Sequence, residues 1–217
     1  RCTVKRLHRA AHNRRAMGRP ISASHELRRD EILNVAAGCF ARQSYPASSM
    51  NDIAAACGAS KARLYHYYES KEAILFDLLD RYTQKLLVII GQVQATAQRQ
   101  ALDERATLHE LIRAFLREYE TSATRHAALL GSTQFLGPAQ REVILDRQRD
   151  VVAAVTRFLR RAYPERVLPH NQTAVAMTLF GMINWTFTWL RPDGSMSYAD
   201  FAEQVIALLD RGLAAPA

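Results

Sequence analysis

Cysteine is scarce in this 217-residue chain: Cys2, Cys39 and Cys57 are the three. An odd number, so far apart, cannot make a disulfide frame. With Cys39 and Cys57 on apolar helix faces, the thiols are expected to be free and buried, in a reducing compartment. No Cys/His spacing suits zinc, and the seven histidines are scattered, none paired with Glu in a metalloprotease pattern. There is no G-x-S-x-G, no glycine loop to cradle phosphate, and no pair of carboxylates beside a nucleophile. No catalytic residue, metal or cofactor is therefore assigned, and the chain does not read as an enzyme. Residues that alternate in the strand pattern are few, and the seven prolines fall mostly at segment boundaries, so the fold class is all-α.

Long hydrophobic runs are also lacking. The most apolar stretch, 174–190, is near the minimum for a membrane span but holds Thr178, Gly181, Asn184, Thr186 and Thr188, which makes it a buried core helix instead. The basic start is not followed by an apolar h-region, so no secretory leader is expected. The expected setting is cytoplasmic, with no membrane partner. The sequence opens on Arg1 rather than Met, which leaves room for residues upstream.

Acid is missing from the front of the chain: none precedes Glu26, while Arg1, Lys5, Arg6, Arg9, Arg14, Arg15 and Arg19 all lie before it. Of the net charge of +8, most sits in residues 1–81, with 14 Lys/Arg against 8 Asp/Glu; the rest is nearly balanced at 15 against 13. A basic front on a near-neutral body points to a polyanion partner for the front alone. Residues 1–24 read either as a solvated tail or as a basic arm that follows DNA backbone or enters a minor groove.

What is present is concentrated in residues 48–72, SSMNDIAAACGASKARLYHYYESKE. Ser49, three residues before Asp52, opens a helix with a capping-box pattern, and Gly58 closes it. Ser60 caps a second helix from Lys61 to about Tyr67, and Ser70 caps a third. Ala54 and Gly58 keep the crossing small, and Leu64 supplies an aliphatic wedge. This is a helix-turn-helix pattern. Within the second helix, Leu64 and Tyr68 point inward; Lys61, Ala62, Tyr65 and His66 point outward, with Arg63 and Tyr67 on the flanks. The outward set has donors for phosphate and base edges and no acid. Ser70 and Lys71 at a helix start suit a phosphate clamp. Arg28 and Arg29, near the start of a first helix over 25–43, are expected to be exposed within reach of DNA.

The runs Ser48-Ser49-Met50-Asn51-Asp52-Ile53-Ala54, Gly58-Ala59-Ser60-Lys61, Leu64-Tyr65-His66-Tyr67-Tyr68 and Ser70-Lys71-Glu72 resemble, without a gap, the N-terminal domain of TetR-family transcriptional regulators. Ser48 stands where Thr is commoner, and Tyr68 where Phe is. The resemblance implies a three-helix DNA-binding domain over 25–70 and a larger helical effector-binding and dimerisation domain over 71–217. It implies a homodimer on a palindromic double-stranded operator, with Ser49, Ser60, Lys61, Ala62, Tyr65, His66, Tyr67 and Lys71 at the DNA.

Beyond residue 100, helices are predicted over 104–121, 124–135, 138–163, 170–190 and 198–212. The segment 170–190 is apolar nearly all round, which asks for burial on more than one side; the resemblance implies that the last two helices form a four-helix dimer interface. The family resemblance also implies a hydrophobic small-molecule effector, with Phe115, Tyr119, His126, Phe135, Met177, Phe180, Asn184, Trp185, Thr188 and Trp189 as candidate wall residues. The run from Phe180 to Gly194 is similar to regulators of fatty-acid, steroid or aromatic-acid breakdown, several of which respond to acyl-CoA thioesters, although Leu190 stands where Tyr is common. On that likeness Arg113, Arg117, Arg141 and Arg147 are candidates for the CoA phosphates. The runner-up is a regulator of efflux or stress genes answering another hydrophobic molecule.

Overall fold

The computed structural model describes residues 23–191 and 193–213. Three helices come first, one long and two short: α1 Ala23–Gln43, α2 Met50–Ala56 and α3 Lys61–Tyr65. The predicted caps are in place. The Ser49 Oγ accepts from the Asp52 amide while the Asp52 carboxylate accepts from the Ser49 amide, and Gly58 turns the chain at φ +59°. Ser60 Oγ accepts from the Arg63 amide and Ser70 Oγ from the Ala73 amide. Leu33, Ala36 and Ala37 from α1, Ile53 and Ala54 from α2 and Leu64 from α3 are all buried, in a core that continues into that of the remaining helices.

From that core two long helices leave side by side. α4 (Lys71–Gln100) buries one face at helical spacing, from Ile74 to Ala97, and leaves Val88 exposed on the other. It stops where Ala101 adopts the left-handed conformation, φ 51°. α7 (Pro138–Ala162) starts next to α4: the Glu72 carboxylate accepts from the Gly137 amide, 2.7 Å away. Eight to ten residues further on, Arg147 pairs with Asp80. At the far end, Phe158 and Arg161 share a surface depression with Gln94 and Ala97. The two helices therefore run parallel, away from the small N-terminal core.

α5 (Glu104–Thr121), α6 (Ala123–Ser132), a 3-10 turn (Thr133–Phe135), α8 (Gln172–Ile183), α9 (Thr186–Trp189) and α10 (Tyr198–Leu213) pack around this pair. The predicted 170–190 helix is thus broken. Its Asn184 carbonyl is engaged by the His126 ring at 3.0 Å, and the Thr188 amide turns to Trp185 instead. The predicted 124–135 helix likewise ends early, tightening into the 3-10 turn. No helix among the described residues is long and apolar enough to cross a membrane.

Candidate functional site

The first candidate site is the outward face of α3. Leu64 and Tyr68 are buried, whereas Lys61, Ala62, Arg63, Tyr65 and His66 are exposed. Tyr65 is 44% exposed despite its ring, with the Lys61 ammonium 5.8 Å from its centroid. Tyr67 is half-buried against His25, ring centroids 4.9 Å apart. An uncovered Tyr/His/Lys surface with no acid on α3 offers donors and charge to a polyanion. Ser49 and Ser60 flank it, but their hydroxyls serve the caps of α2 and α3.

Three basic residues expected at this surface are held by partners within the protein. Lys71 donates to the carbonyls of Tyr45 (2.8 Å), Ser48 (2.7 Å) and Pro46 (3.5 Å), with its ammonium 4.3 Å above the Tyr45 ring. Three carbonyls take up the three N–H groups, and partial burial pulls the pKa below that of an ordinary lysine. The sequence pattern for a phosphate clamp is here a knot between the α1–α2 loop and the start of α4. Arg29 is turned inward onto Asp77 (2.8 Å) and the Tyr68 hydroxyl (3.2 Å), and Arg28 pairs with Glu31. Exposure near a helix start does not follow from position when an acid on a neighbouring helix waits within reach. The basic arm over 1–24 lies outside the described residues apart from its last two positions.

The second candidate site is a chamber of about 270 Å³ bounded by α4, α5, α6, α7 and α8. Of the predicted wall residues, Tyr119, His126, Met177, Phe180 and Asn184 line it. Phe115 does not: it is core packing beneath Tyr119. Phe135 stacks on Tyr45 at 5.2 Å, on the side toward the N-terminal core. Trp185, Thr188 and Trp189 are exposed, Trp189 against Phe201 at 5.0 Å, because the break at Asn184 turns them off the wall. The remaining wall comes from Thr83 and Leu86 on α4, Leu129 and Leu130 on α6, and Gln148, Val151 and Val152 on α7. Nothing in their local sequence marks them; only the packing of separate helices does.

The chamber has a polar corner. His126 is buried with Tyr119 stacked on it, ring centroids 3.9 Å apart. Since the Asn184 carbonyl can only accept, the His126 Nε2 carries the proton, and Nδ1 accepts from the Tyr82 hydroxyl at 3.2 Å. Burial lowers the His126 pKa to about 4, so the ring is neutral at physiological pH. Tyr82 and Tyr119 are pushed up by the same desolvation. The Tyr119 hydroxyl donates to the Asn184 side-chain oxygen at 3.3 Å. This leaves the Asn184 amide N–H groups and the whole Gln148 amide to meet a polar group in an otherwise apolar cavity. None of Arg113, Arg117, Arg141 and Arg147 lines it. Arg113 pairs with Glu203, Arg117 with Glu110 and Arg147 with Asp80, while Arg141 is exposed at the start of α7.

A third surface joins α8 and α10. α8 buries Ala176, Leu179, Phe180 and Ile183 yet exposes Ala174, Met177 and Gly181, with Trp185 56% exposed beyond them; α10 adds Leu208, 51% exposed.

Comparison with known proteins finds matches for both halves of the chain. Residues 32–78 match the bacterial regulatory proteins of the tetR family, and residues 101–213 match the tetracyclin repressor-like C-terminal domain. A TetR-family transcriptional regulator from Bordetella parapertussis is 38% identical; the similarity covers 84% of this chain and 94% of that one, with a TM-score of 0.79. AibR, solved in complex with isovaleryl coenzyme A and operator DNA, is 25% identical over 83% of this chain and 97% of its own, with a TM-score of 0.70. The HTH-type transcriptional repressor KstR2 of Rhodococcus jostii is 25% identical over 192 residues, 87% of this chain and 92% of that protein.

Proposed function

This chain belongs to the TetR family of transcriptional regulators and is not an enzyme, and from that premise we propose that it is a homodimeric repressor released from a palindromic operator by a hydrophobic effector. The observation that carries the reading is the face of α3, where Lys61, Ala62, Tyr65 and His66 stand uncovered while Leu64 anchors the helix from behind. Residues 25–70 act as the DNA reader, with Tyr67, Ser49 and Ser60 at its margins and the basic arm before it. Lys71 is reassigned to holding the reader together. A single five-residue helix reads few bases; two of them about 34 Å apart on a dimer read a palindrome. The outward faces of α8 and α10 supply the apolar surface for that dimer.

The chamber takes the effector. Its apolar walls suit a hydrocarbon group, and the Gln148 and Asn184 amides suit a carbonyl at the end of one. An acyl-CoA thioester has both, and AibR, a structural relative, holds isovaleryl coenzyme A. The target genes on this reading serve lipid or aromatic-acid breakdown. Release requires that the effector bind the operator-free state better, with coupling on the order of 1–3 kcal/mol.

Fluorescence anisotropy with DNA from upstream of its own gene, against scrambled DNA at fixed salt, tests the reading. Operator-specific binding that is lost on adding an acyl-CoA is the expected result. Specific binding indifferent to every acyl-CoA tried would keep the repressor and move the effector to another hydrophobic class, such as the ligand of an efflux or stress regulator. Tyr65→Ala and Lys61→Ala should each weaken operator binding by ~1–3 kcal/mol with the dimer intact. Unchanged affinity in both would put the reading face elsewhere.

A further inference from the structure

α7 carries two kinds of arginine. In its first half, Arg147 pairs with Asp80, and Arg149 with Glu142 and Asp146. In its last two turns, Arg157, Arg160 and Arg161 are exposed and pair with no acid among the described residues; Asp150 and Glu165, which flank them in sequence, leave them alone. Positions 157, 160 and 161 share a helix face, so three like charges are crowded there, and of the three only Arg161 shares a depression with an acid, Glu104. A multiply charged anion would relieve that crowding.

The concavities along α7 give the anion a body. Gln148 and Val152 line both the chamber and an open groove of about 580 Å³ between α7 and the start of α8. Arg157 and Arg160 line both that groove and a further depression of about 360 Å³, bounded by Pro164, Val167, Leu168 and Pro169. Gln148 and Arg160 are twelve residues apart, about 18 Å of helix. Over that distance the lining runs from the Gln148 amide, beside the acid-paired Arg149, past Val152, Ala153 and Thr156 to the unpaired Arg157 and Arg160. At about 270 Å³ the chamber falls just below the roughly 300–1,000 Å³ of small-molecule sites, which gives room for the apolar end of such a ligand and not for its head.

We propose that Arg157 and Arg160 form the phosphate-binding head-group site for a coenzyme A thioester whose acyl end occupies the chamber, a site that rests on the acyl-CoA reading above. The thioester has the required order: hydrocarbon, amide-bearing pantetheine arm, phosphorylated nucleotide. Guanidinium groups suit those phosphates because they pair with them in a two-pronged geometry. DNA is the wrong anion for this place. Arg160 lies 22 residues, about 33 Å, along α7 from the end that faces the reader.

Calorimetric titration of the full chain tests the assignment, using isovaleryl-, octanoyl- and benzoyl-CoA, the matching S-acyl pantetheines, and 3′-phosphoadenosine 5′-diphosphate as the bare head group. The expected result is that one CoA thioester binds at least tenfold tighter than its pantetheine counterpart. R157A/R160A should remove that advantage and leave the pantetheine affinity unchanged, while R157K/R160K keeps part of it. Equal thioester binding by wild type and R157A/R160A overturns the head-group site and leaves the acyl-CoA reading standing. If only the bare head group binds, and through these arginines, the acyl-CoA reading falls and with it the thioester assignment. No binding by any probe removes both. A ligand-free R157A/R160A protein with weakened operator affinity or altered assembly would give the arginines to DNA or to a second copy, against the proposal.

Discussion

The face of α3 and the chamber are built by opposite means. The proposed DNA-reading face is set by residues close together in sequence: Ser49, Gly58 and Ser60 fix the two helices, and Leu64 and Tyr68 fix which side turns out. Its functional side chains need only be left uncovered. The chamber draws its wall from five helices spread over a hundred residues, and its polar groups must be buried and partnered before any can be spared for a ligand. A local site tolerates imprecision elsewhere in the molecule; a composite one inherits every error of packing.

The largest test of this contrast is Leu64→Ala. Leu64 is fully buried, and its truncation should cost ~2–5 kcal/mol of stability where α2 and α3 pack on α1. Denaturant titration should show those helices melting first, while effector binding in the chamber persists; loss of both together would show that the two regions form one cooperative unit.

Next comes the pH response of the chamber. His126 has a folded pKa of about 4 against an ordinary 6.5, so between these values the unfolded chain binds more protons than the folded one. Stability is therefore full above pH ~6.5 and falls as pH drops toward 4, by at most ~3 kcal/mol. His126→Gln, which cannot titrate, should show a correspondingly shallower fall in the same window; parallel curves for the two proteins would place the ring in a wetter corner than the geometry gives.

Lys71→Ala separates the two roles a basic residue can have at the edge of the reader. Removing its donors leaves the Tyr45 and Ser48 carbonyls short of partners, for a loss of ~1–3 kcal/mol in stability. The salt dependence of operator binding should stay the same. A salt slope reduced by about one unit would instead make Lys71 a phosphate contact. The smallest effect is expected from Ser60→Ala, which removes one N-cap and should cost ~1 kcal/mol by thermal melting. A drop much beyond this would mean that the hydroxyl also supports the DNA contact surface.

These differences also explain what was legible in the sequence. The caps at Ser49, Ser60 and Ser70, the turn at Gly58 and the inward pair Leu64 and Tyr68 are local and stereochemical, and the helices obey them. The orientation of Arg29 and Lys71 was not legible, because Asp77 and the Tyr45 and Ser48 carbonyls that hold them are brought near only by folding. Half of the predicted wall residues line the chamber, Tyr119, His126 and Phe180 among them, but nothing in the sequence pointed to Thr83, Leu86, Val151 or Val152, whose side chains are those of any core position. Trp185, Thr188 and Trp189 were misplaced by a single event, the capture of the Asn184 carbonyl by His126, which ends α8 and rotates the segment beyond it. The free arginines of α7 could be counted in the sequence, but their lack of partners could not.

The parallel course of α4 and α7 has a mechanical consequence. The two helices are pinned twice, at Glu72–Gly137 beside the reader and at Asp80–Arg147 further out. The chamber wall begins just past the second pin, at Thr83 on one helix and Gln148 on the other. That arrangement is a pair of scissor blades with the rivet between handle and edge. Whatever pries the blades apart at the chamber must either break the Asp80–Arg147 pin or swing both helices about it, and the swing breaks the Glu72–Gly137 bond and displaces the near ends, with α3 attached.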